Sequence, residues 1–216
     1  LKAIRREMHL YRQLLTGDER ELSSLFIGGG TPTCLAVGEL KDMLEEVRRV
    51  FKLLPGSEIT VETNPGAIDW DGFSELFGAG VNRLSIGVQS FQDDLLKVLG
   101  RIHDAGAAAE AVQLARAAGF KNINLDFIFG IPGQTAGDWL DTLRRICSRS
   151  TSPCTGFSWK RGLPWSKPLP GVNEEPARKT SNYPCTGPQS PYLRAVAMST
   201  MRYPILPGRA GDPVTI

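Results

Sequence analysis

Four times between Leu25 and Ile146 a short apolar run gives way to an amphipathic stretch, and this repetition narrows the possible folds more than any other feature. Leu25-Phe26-Ile27 reads as a short buried strand entering Gly28-Gly29-Gly30, and Leu40, Met43, Leu44, Val47 and Val50 mark the helix behind it. Glu58 to Glu62 predicts a second strand, followed by a helix around Asp69 to Phe77. Arg83 to Val88 predicts a third, followed by a short helix, Gln92 to Leu99, and a strong one, Ala105 to Ala118, stopped by Gly119. Ile123 to Phe129 is the fourth strand and Gly137 to Ile146 the last helix. Ahead of them all, Ile4, Met8, Tyr11, Leu14 and Leu15 fall at helical spacing, so Leu1 to Leu15 predicts an amphipathic helix. Such alternation favours an α/β fold with a parallel sheet and right-handed crossovers. In that architecture the C-terminal ends of the strands share one edge, and that edge carries the ligand site.

A composition break falls near Cys147. Of the 15 prolines, Pro32, Pro55, Pro65 and Pro132 precede it at element boundaries, and the remaining eleven follow it. Each interior proline removes a backbone donor and fixes φ, so the tail is not expected to hold a long helix or a central strand. Hydrophobic periodicity is also missing there, and without an apolar face ordering entropy is not offset. Residues 148–216 are therefore expected to be mostly irregular, and residues 1–147 to form the folded part. A formal net charge of +2 gives no stripe for nucleic acid, and no apolar run reaches membrane-spanning length. Cys34, Cys147, Cys154 and Cys185 match no zinc or cluster spacing and fit a reducing compartment, hence a cytoplasmic location, or a mitochondrial one in a eukaryote.

Polar residues collect where the strands end. Gly28-Gly29-Gly30-Thr31-Pro32 lets a ligand approach the backbone and leaves amides free, although a tight strand-to-helix turn would need no more than this. It is neither a Walker loop nor a dinucleotide fingerprint, because the lysine and the later glycine spacing are missing. Glu62 ends the second strand, Gln89 the third, and Asp126 lies in the fourth. One such residue is usually a satisfied cap. Three on successive strands beside a glycine turn suggest a pocket for a polar small molecule, with acceptors for amine and hydroxyl groups.

Read as blocks, these segments resemble a known family. Phe26-Ile27-Gly28-Gly29-Gly30-Thr31-Pro32-Thr33, Val61-Glu62-Thr63-Asn64-Pro65 and the run Asn82 to Phe91 are similar to consecutive blocks of the radical S-adenosylmethionine (SAM) family. The subgroup resembled is the oxygen-independent coproporphyrinogen oxidases and HemW-type haem chaperones, the chaperone branch more closely. Leu99 to His103 and Leu125 to Gln134 continue the match in order. The resemblance implies a partial (β/α) barrel of about four parallel β/α units. It implies that Gly29, Gly30, Thr31 and Glu62 hold the SAM amino group, that Arg101 pairs with the SAM carboxylate, and that Gln89 and Asp126 take the ribose hydroxyls. For the intact protein it implies a [4Fe–4S] cluster, SAM and haem as cofactors, and haem-accepting proteins as partners. The enzyme reading is oxidative decarboxylation of coproporphyrinogen III. A bare SAM-binding module and a generic phosphate-binding barrel piece are further alternatives, the last disfavoured by the block order.

The family departs from this chain in one respect that matters for chemistry. Its cluster is held by three cysteines spaced C-x-x-x-C-x-x-C, just upstream of the helix represented by Leu1 to Leu15, and the sequence contains no such triplet. No catalytic side chain or metal ligand is therefore assigned, and the chain as given is expected to be inactive in radical chemistry. The opening on Leu1 within a helical pattern points to a truncated N-terminus, and a partial barrel with uncovered faces points to marginal stability. The tail carries a further clue. Back-translating Ala197 to Gly208 and reading one base earlier, with suitable synonymous codons, gives a segment close to one in the C-terminal part of family members. The same shift over Ser148 to Ser166 gives the family's next strand and turn. A change of reading frame near Ile146 to Ser148 accounts for both. Sequencing the coding DNA tests this: the family segments should appear in the shifted frame, and other codons through Thr151 to Leu206 would sink the idea.

Overall fold

The computed structural model describes residues 1–148 and, as backbone, four further strands. In chain order the helices are α1 (Lys2–Leu14), α2 (Val37–Val50), α3 (Trp70–Gly78), α4 (Asp93–Val98), α5 (Ala105–Ala117) and α6 (Ala136–Ser148). The strands are β1 (Glu21–Ile27), β2 (Lys52–Thr63), β3 (Arg83–Gln89), β4 (Asn122–Phe129), β5 (Gly156–Arg161), β6 (Pro176–Ala177), β7 (Thr200–Met201) and β8 (Val214–Thr215). One sheet runs β5-β4-β3-β2-β1-β8, and each of its pairings is parallel. From β1 to β5 helices intervene between successive strands, which is the partial (β/α) barrel that the alternation announced. Composition did not announce β5, which adds a fifth parallel strand at the edge beside β4. Apart from strands β5 to β8, the expectation of an irregular tail lies outside the described residues.

Register divides each strand between two environments. Leu25 pairs with Ile59, Ile27 with Val61, Val61 with Leu84 and Leu84 with Ile123. These side chains share one face and are all 6% exposed or less. Leu40, Met43, Leu44, Val47 and Val50 of α2, Phe73 and Leu76 of α3, and Ala108 and Ala115 of α5 close over that face. Small alanines let α5 approach closely, and the edge-on rings of Phe73 and Phe77 against Phe120 fill the space beside them. The residues between, Glu58, Thr60 and Glu62 on β2, Arg83 and Ser85 on β3, and Asn122, Asn124 and Asp126 on β4, share the opposite, concave face. There Arg83 pairs with Glu58 at 3.2 Å, and Thr60 donates to Glu58 at 3.1 Å.

Local chemistry sets the boundaries. Asp69 and Asp104 cap α3 and α5 by accepting from the amides of Gly72 and Ala107. At α6, Asp138 accepts from the Thr135 amide and hydroxyl, and these bonds hold its carboxyl below the usual range. Asn82 stands in for a piece of backbone at the mouth of β3. Its amide oxygen accepts from Ile59 N at 2.8 Å, and its amide nitrogen donates to Ser57 O at 2.8 Å. β2 begins six residues earlier than the sequence predicts, because Leu54 to Ser57 bulge out of the ladder: Leu22 faces Leu53, yet Ser24 faces Glu58. Helix α1 forms as expected but buries less than its pattern suggests. Met8 is buried, while Tyr11 and Leu14 are 48% and 74% exposed, because α2 covers only part of that apolar stripe.

Phe120 is the residue on which this packing can be tested. It is 1% exposed and meets two other rings. Phe120→Ala should cost about 3–5 kcal/mol, measured as a lower urea midpoint at unchanged slope.

Candidate functional site

The C-terminal edge of the sheet gathers most of the residues singled out from sequence. β1 ends in the glycine turn, and Gly28 passes hard against β2: a Cβ there would lie 2.8 Å from the Glu62 carboxylate and would also strike the Phe26 ring. Only a residue without a side chain admits this approach. It brings the Gly29 amide to donate to Glu62 Oε2 at 3.2 Å. Gly29 and Gly30 are exposed, with φ of 89° and 127°, conformations that favour glycine.

Arg101 reaches the same edge from the α4–α5 loop. The amide of Gly100, at φ 67°, bonds to Lys97 O, and the Arg101 amide bonds to Leu96 O at 2.9 Å. That closure terminates α4 and fixes where the guanidinium starts. Arg101 Nη1 donates to Asn64 Oδ1 at 3.4 Å, and Asn64 Nδ2 donates to Thr31 Oγ1 at 3.0 Å. Among the described residues neither Arg101 nor Glu62 takes part in an ion pair. Anion and cation stand on one edge without neutralising each other.

Gln89 closes β3 in a left-handed conformation, φ 67°, the one such non-glycine residue among those described. The ladder to β4 slips just before it, from Ile86 opposite Leu125 to Gln89 opposite Phe127. Strain of this kind costs on the order of 1–3 kcal/mol, and it gathers at sites where a side chain must be aimed. Asp126 is engaged on the concave face. Ser85 Oγ donates to its Oδ2 at 2.7 Å, Asn124 Nδ2 to its Oδ1 at 2.9 Å, and Asn124 Nδ2 also to Ser85 Oγ at 3.0 Å.

Gly29, Glu62, Thr31 and Arg101 are thus brought together, Gly30 lies in the same turn, and Gln89 stands beside Asn64. Asp126 belongs to the adjoining network with Ser85 and Asn124. Sequence reasoning did not single out Asn64, Ser85 or Asn124. The signal available for Asn64 was its place two residues after Glu62, just past the end of β2. For Ser85 and Asn124 it was a polar residue at alternate positions of otherwise apolar strands. His103, left unassigned, lies 3.3 Å from Val88 O.

The comparisons agree with this architecture. The profile of the Radical SAM superfamily matches residues 6–146. The chain belongs to the Radical SAM superfamily. It is 43% identical over 133 residues to the heme chaperone HemW of Haemophilus influenzae, a stretch that covers 62% of this chain and 35% of that protein. It is 35% identical over 144 residues to the oxygen-independent coproporphyrinogen III oxidase of Bradyrhizobium diazoefficiens, covering 67% and 32% respectively. The solved coproporphyrinogen III oxidase HemN of Escherichia coli superposes with a TM-score of 0.66 at 30% identity, over 78% of this chain and 37% of that one. The chain therefore spans about a third of the length of the relatives it matches.

The superfamily's two cofactors fare differently against these residues. An amino-acid head group fits an edge that keeps Glu62 and Arg101 apart and lets backbone pass at Gly28. A [4Fe–4S] cluster does not fit: Cys34 is exposed, and among the described residues no group of His, Cys, Asp or Glu could hold a metal. No step through a cluster can be derived for this chain. No described helix is long and apolar enough to cross a membrane.

The edge is close-packed enough to be tested by one methyl group. A Cβ on Gly87 would fall 2.6 Å from Asn64 Oδ1 and 2.7 Å from Gln89 Nε2. Gly87→Ala should therefore push both amides aside and cost about 1–3 kcal/mol in urea unfolding, as overpacking does.

Proposed function

We propose that the described residues are the SAM-binding part of a radical SAM haem chaperone of the HemW kind. The observation that carries this reading is the separation of Glu62 and Arg101 by a neutral Asn64. A free amino acid is a zwitterion, and its recognition needs an acceptor and a cation that do not quench one another. Glu62 accepts from the SAM amino group beside the Gly29, Gly30 and Thr31 backbone. Arg101 pairs with the carboxylate, its flat fork suiting a bidentate contact. Gln89 and Asp126 accept from the ribose hydroxyls, and the donors Ser85 and Asn124 keep the Asp126 carboxylate oriented.

The intact protein would bind a cluster, SAM and haem, and pass haem to acceptor proteins. Support for the chaperone comes from its relatives: matches to HemW proteins of several bacteria run at 38–44% identity. The oxidase reading draws on the likeness to HemN and to the Bradyrhizobium enzyme. Haem binding by the full-length protein without decarboxylation of coproporphyrinogen III favours the chaperone; turnover favours the oxidase. The described residues comprise the SAM part of either, and we read residues 148–216 as out-of-frame sequence of which β5 and β8 still add strands to the edges of the sheet.

Calorimetric titration of the chain with SAM tests the cradle. Binding should weaken about 10- to 100-fold in Arg101→Ala and in Glu62→Gln, the range for losing a charge-assisted hydrogen bond. Absence of heat with the unaltered chain would leave it an inert remnant.

A further inference from the structure

Asn64 holds two arms of the candidate cradle at once. Its amide has only one workable orientation. A guanidinium donates and never accepts, so Oδ1 must face Arg101 and Nδ2 must face the Thr31 hydroxyl. The side chain lies in the notch that Gly87 leaves empty, next to the Gln89 amide. From there it bridges the glycine turn after β1 to the loop before α5, across the end of β2.

Two features indicate what the bridge does. The bond to Arg101 is long, 3.4 Å, and engages one of five guanidinium donors. Among the described residues the remaining donors have no other partner and stay available to a ligand. The bridging group is also neutral. A carboxylate at the same position would draw the guanidinium into an ion pair and spend the charge that a ligand carboxylate needs. Aspartate is nearly the shape of asparagine, and it could still accept from the Thr31 hydroxyl, so packing alone does not explain the amide.

We propose that Asn64 is the positioning residue for carboxylate recognition: it aims Arg101 while leaving its charge unpaired. This rests on the reading of the edge as a SAM site. Asn64 touches Arg101 and Thr31 rather than the reacting atoms, so its effect is confined to the part of the ligand that Arg101 meets. SAM carries the amino-acid carboxylate, whereas 5′-methylthioadenosine has the same nucleoside and thioether without it. The two ligands therefore separate a positioning role from a structural one.

The experiment titrates the chain and its Asn64→Asp and Asn64→Ala variants with both compounds, with a melting curve for each protein. In Asn64→Asp, SAM should bind about 10- to 100-fold more weakly while methylthioadenosine stays within about twofold, because one charge-assisted contact is lost and the rest of the site is kept. Asn64→Ala, which unties Arg101 without pairing it, should lower the ratio in the same direction by a smaller factor. Should the aspartate variant fail to fold, the alanine variant decides alone. An unchanged ratio, or a parallel loss of both ligands, overturns the positioning role while leaving the SAM reading intact. If the unaltered chain binds neither compound, the SAM reading has failed and this inference falls with it.

Discussion

Each strand of the sheet meets two different surroundings at once, and everything else in the molecule depends on how alternation resolves that demand. Because successive side chains of a strand point to opposite faces, a parallel register that aligns Ile27, Val61, Leu84 and Ile123 also aligns the residues one step away. The first row is sealed by α2, α3 and α5 and supplies the drive to fold. The second row is polar, and it is kept only because its members satisfy one another: Glu58 with Arg83 and Thr60, Asp126 with Ser85 and Asn124. A slip of one residue would exchange the two rows and bury both carboxylates against leucines. Register and site are thus fixed by the same pairing.

That coupling explains why the site stands at the strand ends and not midway. Within the ladder, carboxylates and amides bond to neighbours on adjacent strands, as Asp126 does with Ser85. Beyond it the chain turns, and Gly28 and Gly87 provide room where the strands would otherwise crowd. Glu62 and Gln89 stand at the ends of their strands and Asn64 just past β2, and Arg101 is delivered to the same edge by the closure that ends α4. The left-handed backbone at Gln89 is the cost of aiming a side chain at the last paired residue of β3.

Much of this was legible in the residues because it follows from short-range rules. Periodicity located every strand of β1–β4 and every helix of α1–α6, since each has an apolar face with the period of its own geometry. Gly119 marked an end that needs a left-handed residue. The early start of β2 was not legible, since Pro55 and Gly56 read as a break; a bulge lets the ladder pass them, which depends on β1 lying alongside. Strand β5 was hidden because its environment comes from β4 and not from its own pattern. Asn64, Ser85 and Asn124 escaped for a related reason. Their importance lies in partners 33, 37, 39 and 41 residues away along the chain, and no local spacing encodes such a contact.

Membership of a family and possession of its chemistry rest on different parts of such a chain. Membership is carried by the match over residues 6–146, which includes the strands whose register sets the sheet edge. The chemistry of the superfamily needs a metal cluster as well, and that ligand set is a short loop with no role in the register. The edge can therefore fold and retain its charge arrangement without the loop, since no described contact of Glu62, Asn64 or Arg101 passes through a cysteine. Binding of the amino-acid head group and cleavage of its sulfonium bond are accordingly separable properties. On the proposed reading the first is determined by Glu62 and Arg101; the second requires the cysteine triplet, which this sequence does not contain.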